Sequence, residues 1–301
     1  LDDQAWDELA LVDGIARRAT WDATGLVLGD DAAMVHVGHQ AITVCADALV
    51  EGVHFDLSYW SPAQIGAKAV TVNVSDLAAM AAEPLWILST VAAPKSFAVE
   101  ELLIGLEQKA EHYGTRLIGG DLTRADTIVV SVMAIGKQST PPLRRSGAHA
   151  GELIFVTGPL GLASHAFSRL AQGLDVDRRT RLALLDPIAR VQEGRAAARG
   201  GATAAIDISD GLAIDLHRLA DASRVGFVID ELPIAEGATE LEALAGGEDF
   251  ELCFTAPDHA RVIDEFAKAH LGTPLVIGRV IDDVNHRMLG NRPLAPVGYR
   301  H

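Results

Sequence analysis

Six short acidic motifs hold the residues best suited to chemistry. They are Gly29-Asp30-Asp31-Ala32-Ala33, Ala46-Asp47-Ala48, Asn73-Val74-Ser75-Asp76, Gly119-Gly120-Asp121, Asp207-Ile208-Ser209-Asp210-Gly211 and Gly246-Gly247-Glu248-Asp249. Each sets carboxylates beside glycine or other small residues, where a ligand can come close to the backbone. Carboxylates gathered from distant stretches repel one another unless a cation lies between them, and hard oxygen donors suit magnesium or calcium. The pattern predicts a metal-phosphate site. Singly, the motifs have plainer readings: Asp30 and Asp31 as turn formers before a strand, and Ser209-Asp210-Gly211 as a helix cap. Asp76 resists such a reading. It lies among Val, Ala, Leu and Met, where a carboxylate needs a cation or hydrogen-bond donors. Asp121 follows two glycines after an apolar run, a setting in which backbone can approach a phosphate.

Three common catalytic signatures are missing from the sequence: the GxxxxGK[ST] loop, the protein-kinase motif pair and the GxSxG elbow. Magnesium-assisted phosphoryl transfer survives that screen, because it relies on positioning and charge neutralisation that carboxylate-held metals can supply. The formal charge of −16, from 25 basic against 41 acidic side chains, argues against nucleic acid or an anionic membrane as partner. It would also repel nucleotide phosphates unless metal ions reversed the local field. Cys45 and Cys253 sit in apolar runs without zinc spacing and read as buried thiols. The N-terminus is acidic, unlike a secretory leader, and no apolar run is long enough to cross a bilayer, so a cytoplasmic location is expected.

The elements that must position these motifs alternate between α and β across 301 residues, enough for one large or two medium domains. A helix is expected at 5–19, then strands at 33–37 and 41–47 joined through Gly38-His39. Ser61-Pro62 starts a helix that runs to Ala82, where Glu83-Pro84 ends it. A strand at 85–92, a helix at 97–113, and strands near 115–118 and from Thr127 to Ile135 follow. Residues 137–150 carry two prolines and no period, and mark a linker. Beyond it come strands at 152–157, 203–208, 226–230, 250–255 and 275–281, with helices at 190–199, 211–223 and 258–270. Gly158-Pro159-Leu160-Gly161 leads into another helix whose start could hold an anion or be an ordinary turn. The division is 1–138 and 139–301, each part mixed α/β.

Beyond single motifs, the string Asp47-Ala-Leu-Val-Glu-Gly-Val-His-Phe55 with Val74-Ser-Asp-Leu-Ala-Ala-Met-Ala81 resembles the thiamine-monophosphate kinase family. That family is a branch of the aminoimidazole ribonucleotide synthetase and selenophosphate synthetase superfamily. Gly29 to Ala33, Gly120-Asp121, Asp207 to Leu212 and Gly247 to Leu252 match it in the same order. The resemblance implies ATP-dependent phosphorylation of thiamine monophosphate to thiamine diphosphate. It also implies a two-domain synthetase-like fold that forms a homodimer through its N-terminal sheet. By position, Asp30, Asp47, Asp76, Asp121, Asp207 and Asp210 would hold several Mg2+ ions, with Asp30, Asp76, Asp121 and Asp210 nearest the chemistry. Gly120, Asp121, Arg145 and Ser209 would meet ATP, with Tyr113 near the adenine. His54, Glu248 and Tyr299 would line the thiamine side. Where the family usually carries hydroxyl residues before the motif aspartate, this chain has Cys45 and Ala46, which predicts one metal held more weakly or through water. Rival readings are another ATP-using member of the superfamily and a non-catalytic Mg-nucleotide-binding relative. Leu1 to Gly29 holds neither cysteine nor lysine, against the expectation for a selenophosphate synthetase.

Overall fold

The computed structural model describes residues 29–299, so the helix expected at 5–19 lies outside the described residues. Strands β1 (Ala33–Val37) and β2 (Gln40–Val50) form the expected antiparallel hairpin, with Val37 opposite Gln40. With β3 (Glu83–Ala93), β4 (Arg116–Arg124) and β5 (Val129–Lys137) they build a five-stranded sheet in the order β1-β2-β5-β3-β4. Neighbours are antiparallel except β3 and β4, whose parallel pairing requires the crossover helix α2 (Val99–His112).

Helix α1 (Pro62–Ala79) begins as the sequence predicts. Ser61 Oγ accepts from the Gln64 N–H at 3.3 Å, and the Ser61 N–H donates to Gln64 Oε1 at 2.9 Å. Such a capping box contributes roughly 1 kcal/mol. Ile65, Val70, Val74 and Leu77 are fully buried, each stabilising the fold by roughly 1.5–3 kcal/mol. α1 is covered on both sides, by the first sheet and by helix α5 (Val191–Arg199) of the second half. A Cβ at Gly194 would fall 2.1 Å from the Ala78 carbonyl oxygen, so only glycine permits this approach of α5 to α1. A helix without a solvent face takes its polar residues inside. Lys68, Asn73 and Ser75 are buried, and Asp76 faces an internal cavity.

Strand β4 departs from expectation. It does not stop at residue 118 but continues to Arg124, so Gly119-Gly120-Asp121 lies within a strand rather than in a turn. Parallel pairing with β3 extends the strand, and Gly120 makes it possible. A side chain there would sit 1.7 Å from the Ser89 carbonyl oxygen.

The second half contains β6 (Leu153–Val156), α3 (Leu162–Leu170), α4 (Arg178–Leu185), α5, β7 (Ala204–Ile208), α6 (Leu212–Ser223) and β8 (Gly226–Ile229). It continues with α7 (Glu240–Ala245), β9 (Glu251–Ala256), α8 (His259–Lys268), β10 (Leu275–Ile281), β11 (Arg287–Leu289) and β12 (Arg292–Pro293). Its seven strands run β12-β11-β8-β10-β6-β9-β7. α6 covers one face through Leu212, Leu216 and Leu219 against Ile206, Phe227 and Ile277. α5 and α8 cover the other, where Phe155 and Phe254 stack with centroids 5.0 Å apart. The helices α4 and α7 and the β11–β12 pair were not expected from the sequence. The architecture is the predicted mixed α/β one.

Candidate active site

The inward polar residues of α1 meet the end of β7 in a cavity of about 880 Å³. There Asp31, Asp76 and Asp207 bring one carboxylate oxygen each to within 4.8 Å of one another. Local structure explains how. The Asp47 N–H donates to Asn73 Oδ1 at 3.1 Å, and Asn73 Nδ2 donates to the Ala69 carbonyl at 3.0 Å, which registers β2 against α1. Ser75 Oγ donates to Asp207 Oδ2 at 2.6 Å, joining the two halves of the chain. Each polar residue of Asn73-Val74-Ser75-Asp76 thus has a separate task.

Like charges this close resist ionisation. Burial holds the Asp76 carboxyl well above its usual range, and Asp47, Asp207 and Asp31 push it further. Burial and then Asp31 raise Asp207, against the Ser75 hydrogen bond that favours its carboxylate. Asp31 Oδ2 is buried without a hydrogen-bond partner, a state that costs about 1–3 kcal/mol. A divalent cation among the three would satisfy that oxygen and cancel the repulsion. The all-oxygen donor set fits a hard ion such as Mg2+. Cys45 offers no thiolate. Its Sγ donates to the Asn73 carbonyl at 3.2 Å, and burial, then Asp76 and Asp47, raise its pKa.

Two arginines frame the cluster. Arg145 donates to Asp31 Oδ1 from Nη2 at 2.6 Å and from Nε at 3.2 Å. Burial pulls its pKa down, but Asp31, Asp207 and Asp215 outweigh burial and raise it, so the guanidinium stays charged. Arg218 Nη1 bridges Asp210 Oδ2 at 2.5 Å and Asp215 Oδ1 at 2.7 Å. Asp215 Oδ2 in turn accepts the N–H groups of Asp210 and Gly211, at 3.0 and 3.1 Å, which fixes the turn before α6. Burial, with Asp210 beside it, lifts the Asp215 carboxyl to about 7.

Two turns before Asp76 along α1, His54, Trp60 and Glu248 gather around Lys68, and Tyr59, Phe167 and Tyr299 add aromatic surface to the same cavity. Glu248 and Phe250 hold φ of +71° and +50°, unusual for residues with side chains and costing on the order of 1 kcal/mol each. The Glu248 N–H donates to the Ser209 carbonyl at 2.8 Å, and the Tyr299 N–H donates to the Asp210 carbonyl at 3.0 Å. The acidic cluster and this aromatic group are therefore stitched together through the backbone of residues 209–210.

The pattern of the AIR synthase related protein N-terminal domain matches residues 29–138, and that of its C-terminal domain matches residues 149–290. The chain is 36% identical to the thiamine-monophosphate kinase of Salmonella typhimurium, over 85% of this chain and 84% of that protein. To the thiamine-monophosphate kinase of Bacillus subtilis it is also 36% identical, over 88% of this chain and 89% of that one. The chain belongs to the thiamine-monophosphate kinase family. Its fold matches the solved structure of AaThiL complexed with AMPPCP and TMP at a TM-score of 0.87 and 29% identity, over 98% of this chain and 97% of that one.

On this family fold, the residues singled out from the sequence fall into two groups. Asp47, Asp76, Asp207 and Asp210 line the cavity with Ser209 and Arg145, and so do His54, Glu248 and Tyr299. Asp30, Gly120, Asp121 and Tyr113 do not line the cavity. Asp30 Oδ1 accepts the Arg145 N–H at 2.9 Å and so anchors the segment carrying Arg145, while its neighbour Asp31 enters the cluster. Asp121 pairs with Thr90 on the sheet face away from α1, opposite to the face of Asp47 and Asp76. The Tyr113 hydroxyl accepts the Ala189 N–H at 2.8 Å and packs against the N-terminal core. The start of α3, a possible anion site, is taken by the chain itself, because the Gly161 N–H donates to Asp249 Oδ2 at 2.8 Å. Asp31 was named in its motif only as a turn former, without a ligand role, and Lys68 and Arg218 were not singled out. Lys68 carried a usable signal, the single basic residue inside an apolar helix.

Proposed function

We propose that this chain transfers the terminal phosphoryl group of ATP directly to the phosphate of thiamine monophosphate, giving thiamine diphosphate. The observation that carries this reading is a single cavity that holds the Asp31, Asp76 and Asp207 cluster and, two turns away along α1, the group of His54, Trp60 and Glu248. An acceptor that is a phosphate at one end and a flat cationic ring system at the other fits that polarity. The curated relatives are named for this activity, and AaThiL was solved with AMPPCP and TMP.

In this reading Asp31, Asp76 and Asp207, with Asp47 and Asp210, hold Mg2+. Mg2+ bound there would neutralise the facing phosphates and steady an in-line transfer. Arg145 supplies a planar fork of donors to phosphate oxygens, and Ser209 adds a hydroxyl at the same end. A phosphate monoester with a second pKa of about 6 is already an anionic nucleophile near neutrality, so the chain needs no general base. His54, Glu248 and Tyr299 orient the acceptor's rings.

Gly120 and Asp121 enter this scheme only through a second copy. Both lie on the edge strand β4, and Asp121 shares its sheet face with the exposed Trp86 and Met133. An exposed apolar face of this kind marks an association surface. The reading therefore includes a homodimer built on the 1–138 half, with 139–301 completing the acceptor end. Among the described residues no helix is long and apolar enough to cross a membrane.

The test is product analysis by chromatography with ATP, Mg2+ and thiamine monophosphate. One equivalent of thiamine diphosphate per ADP supports the reading. ADP released with inorganic phosphate alone, or no turnover at all, rejects it.

A further inference from the structure

We propose that Lys68 is the positioning residue of the acceptor end, one buried ammonium that holds His54 and Glu248 in register. This inference rests on the functional reading above, since it assigns those two residues to the acceptor.

Lys68 is fully buried in α1, two turns before Asp76. Its Nζ forms an ion pair with Glu248 Oε1, donates to the His54 carbonyl at 2.8 Å, and lies 4.8 Å from the centre of the Trp60 ring. All three partners line the cavity, and they come from two segments far apart in sequence. Burying an ammonium costs several kcal/mol unless such partners repay it, and an apolar side chain of similar length would be as stable or more so. Stability alone therefore does not account for a lysine here. Geometry does. α1 is held rigidly by packing on both sides, so an ammonium fixed to it transfers that rigidity to two loops at once.

Each loop also carries its own constraint. The Val50 N–H donates to His54 Nδ1 at 3.0 Å, which leaves the neutral ring with its proton on Nε2. Glu248 sits in a left-handed backbone conformation, and its side chain stays 28% exposed while Lys68 is closed off. The acceptor end is thereby set as one N–H donor, one oriented carboxylate and flat aromatic walls. Those groups suit a heteroaromatic with an amino-substituted edge. Without Lys68 the Glu248 carboxylate would lose its orienting partner, and the turn at 248–250 would lose the tie that offsets its strain.

The experiment compares Lys68→Met with the double variant Lys68→Met/Glu248→Gln, which removes the orphaned carboxylate and protects folding. Steady-state kinetics are measured separately for each substrate. Lys68→Met is expected to raise KM for thiamine monophosphate roughly tenfold or more, with KM for ATP within about twofold of wild type. The double variant is expected to recover the melting temperature but not the acceptor KM. Equal rises in both KM values, or an acceptor KM restored in the double variant, would reduce Lys68 to a counter-ion and overturn the proposal. A wild-type protein that makes no thiamine diphosphate would instead reject the functional reading itself.

Discussion

Replacing Asp76 by Asn should stabilise the metal-free protein and abolish both its response to Mg2+ and its turnover. Asp76, Asp31 and Asp207 place oxygens within 4.8 Å of one another. Two unit charges at that separation repel by about 3.5 kcal/mol at an effective dielectric constant near 20. Burial and mutual repulsion raise the Asp76 and Asp207 carboxyls, a direction in which proton uptake offsets part of this repulsion, so a net gain of about 1–2 kcal/mol is expected. For a chain of this length that corresponds to roughly 1.5–3 °C in melting temperature. Wild type should itself be stabilised on addition of Mg2+, gaining about 2.7 kcal/mol at a hundredfold excess over Kd. The assay is thermal unfolding of both proteins in EDTA and in Mg2+. An Asp76→Asn variant that melts lower than wild type in EDTA, or keeps the full Mg2+ shift, would refute the reasoning.

Other perturbations separate the parts of the site. Arg145→Met leaves the buried Asp31 carboxylate without the guanidinium that donates twice to its Oδ1, and should lower stability by about 3 kcal/mol in urea titrations, with partial recovery in Mg2+. Gly120→Ala forces a Cβ to within 1.7 Å of the Ser89 carbonyl oxygen. It should therefore shift β4 and cost about 1–3 kcal/mol, read from the urea midpoint. Asp249 tests the pH dependence. Burial lifts its carboxyl to about 7, from an ordinary value near 3.8. Its contribution is fully present below the unfolded value and is lost as pH rises through about 7. Asp249→Asn keeps the neutral form and should flatten the fall in melting temperature between about pH 4 and 7; an unchanged slope would show that Asp249 does not titrate there.

How much of this was legible in the sequence depends on how locally each feature is determined. Helix α1 was readable because Ser61 and Pro62 mark its start locally, and Asp76 stood out as a charge in its apolar interior. The choice between Asp30 and Asp31 was not readable. Adjacent turn residues point in different directions, and contact with Arg145, more than a hundred residues away, decides which enters the cluster. The end of β4 was misplaced because glycines usually signal a turn. Here Gly120 instead serves the close approach of β3, a neighbour that sequence pattern does not reveal. Arg218 lies eight residues beyond Asp210, a separation that brings the two together only because the turn at Gly211 folds α6 back. The side of the sheet on which Asp121 lies was hidden in the same way, since it depends on register with Thr90.

The central claim is that Asp31, Asp76 and Asp207 share a divalent cation between the two reactants. Crystals grown with Mn2+, a non-hydrolysable ATP analogue and thiamine monophosphate would test it directly through anomalous scattering. The account predicts a peak ligated by all three carboxylates and touching phosphate oxygens. A peak elsewhere, or these three side chains turned apart with nucleotide bound, would contradict it.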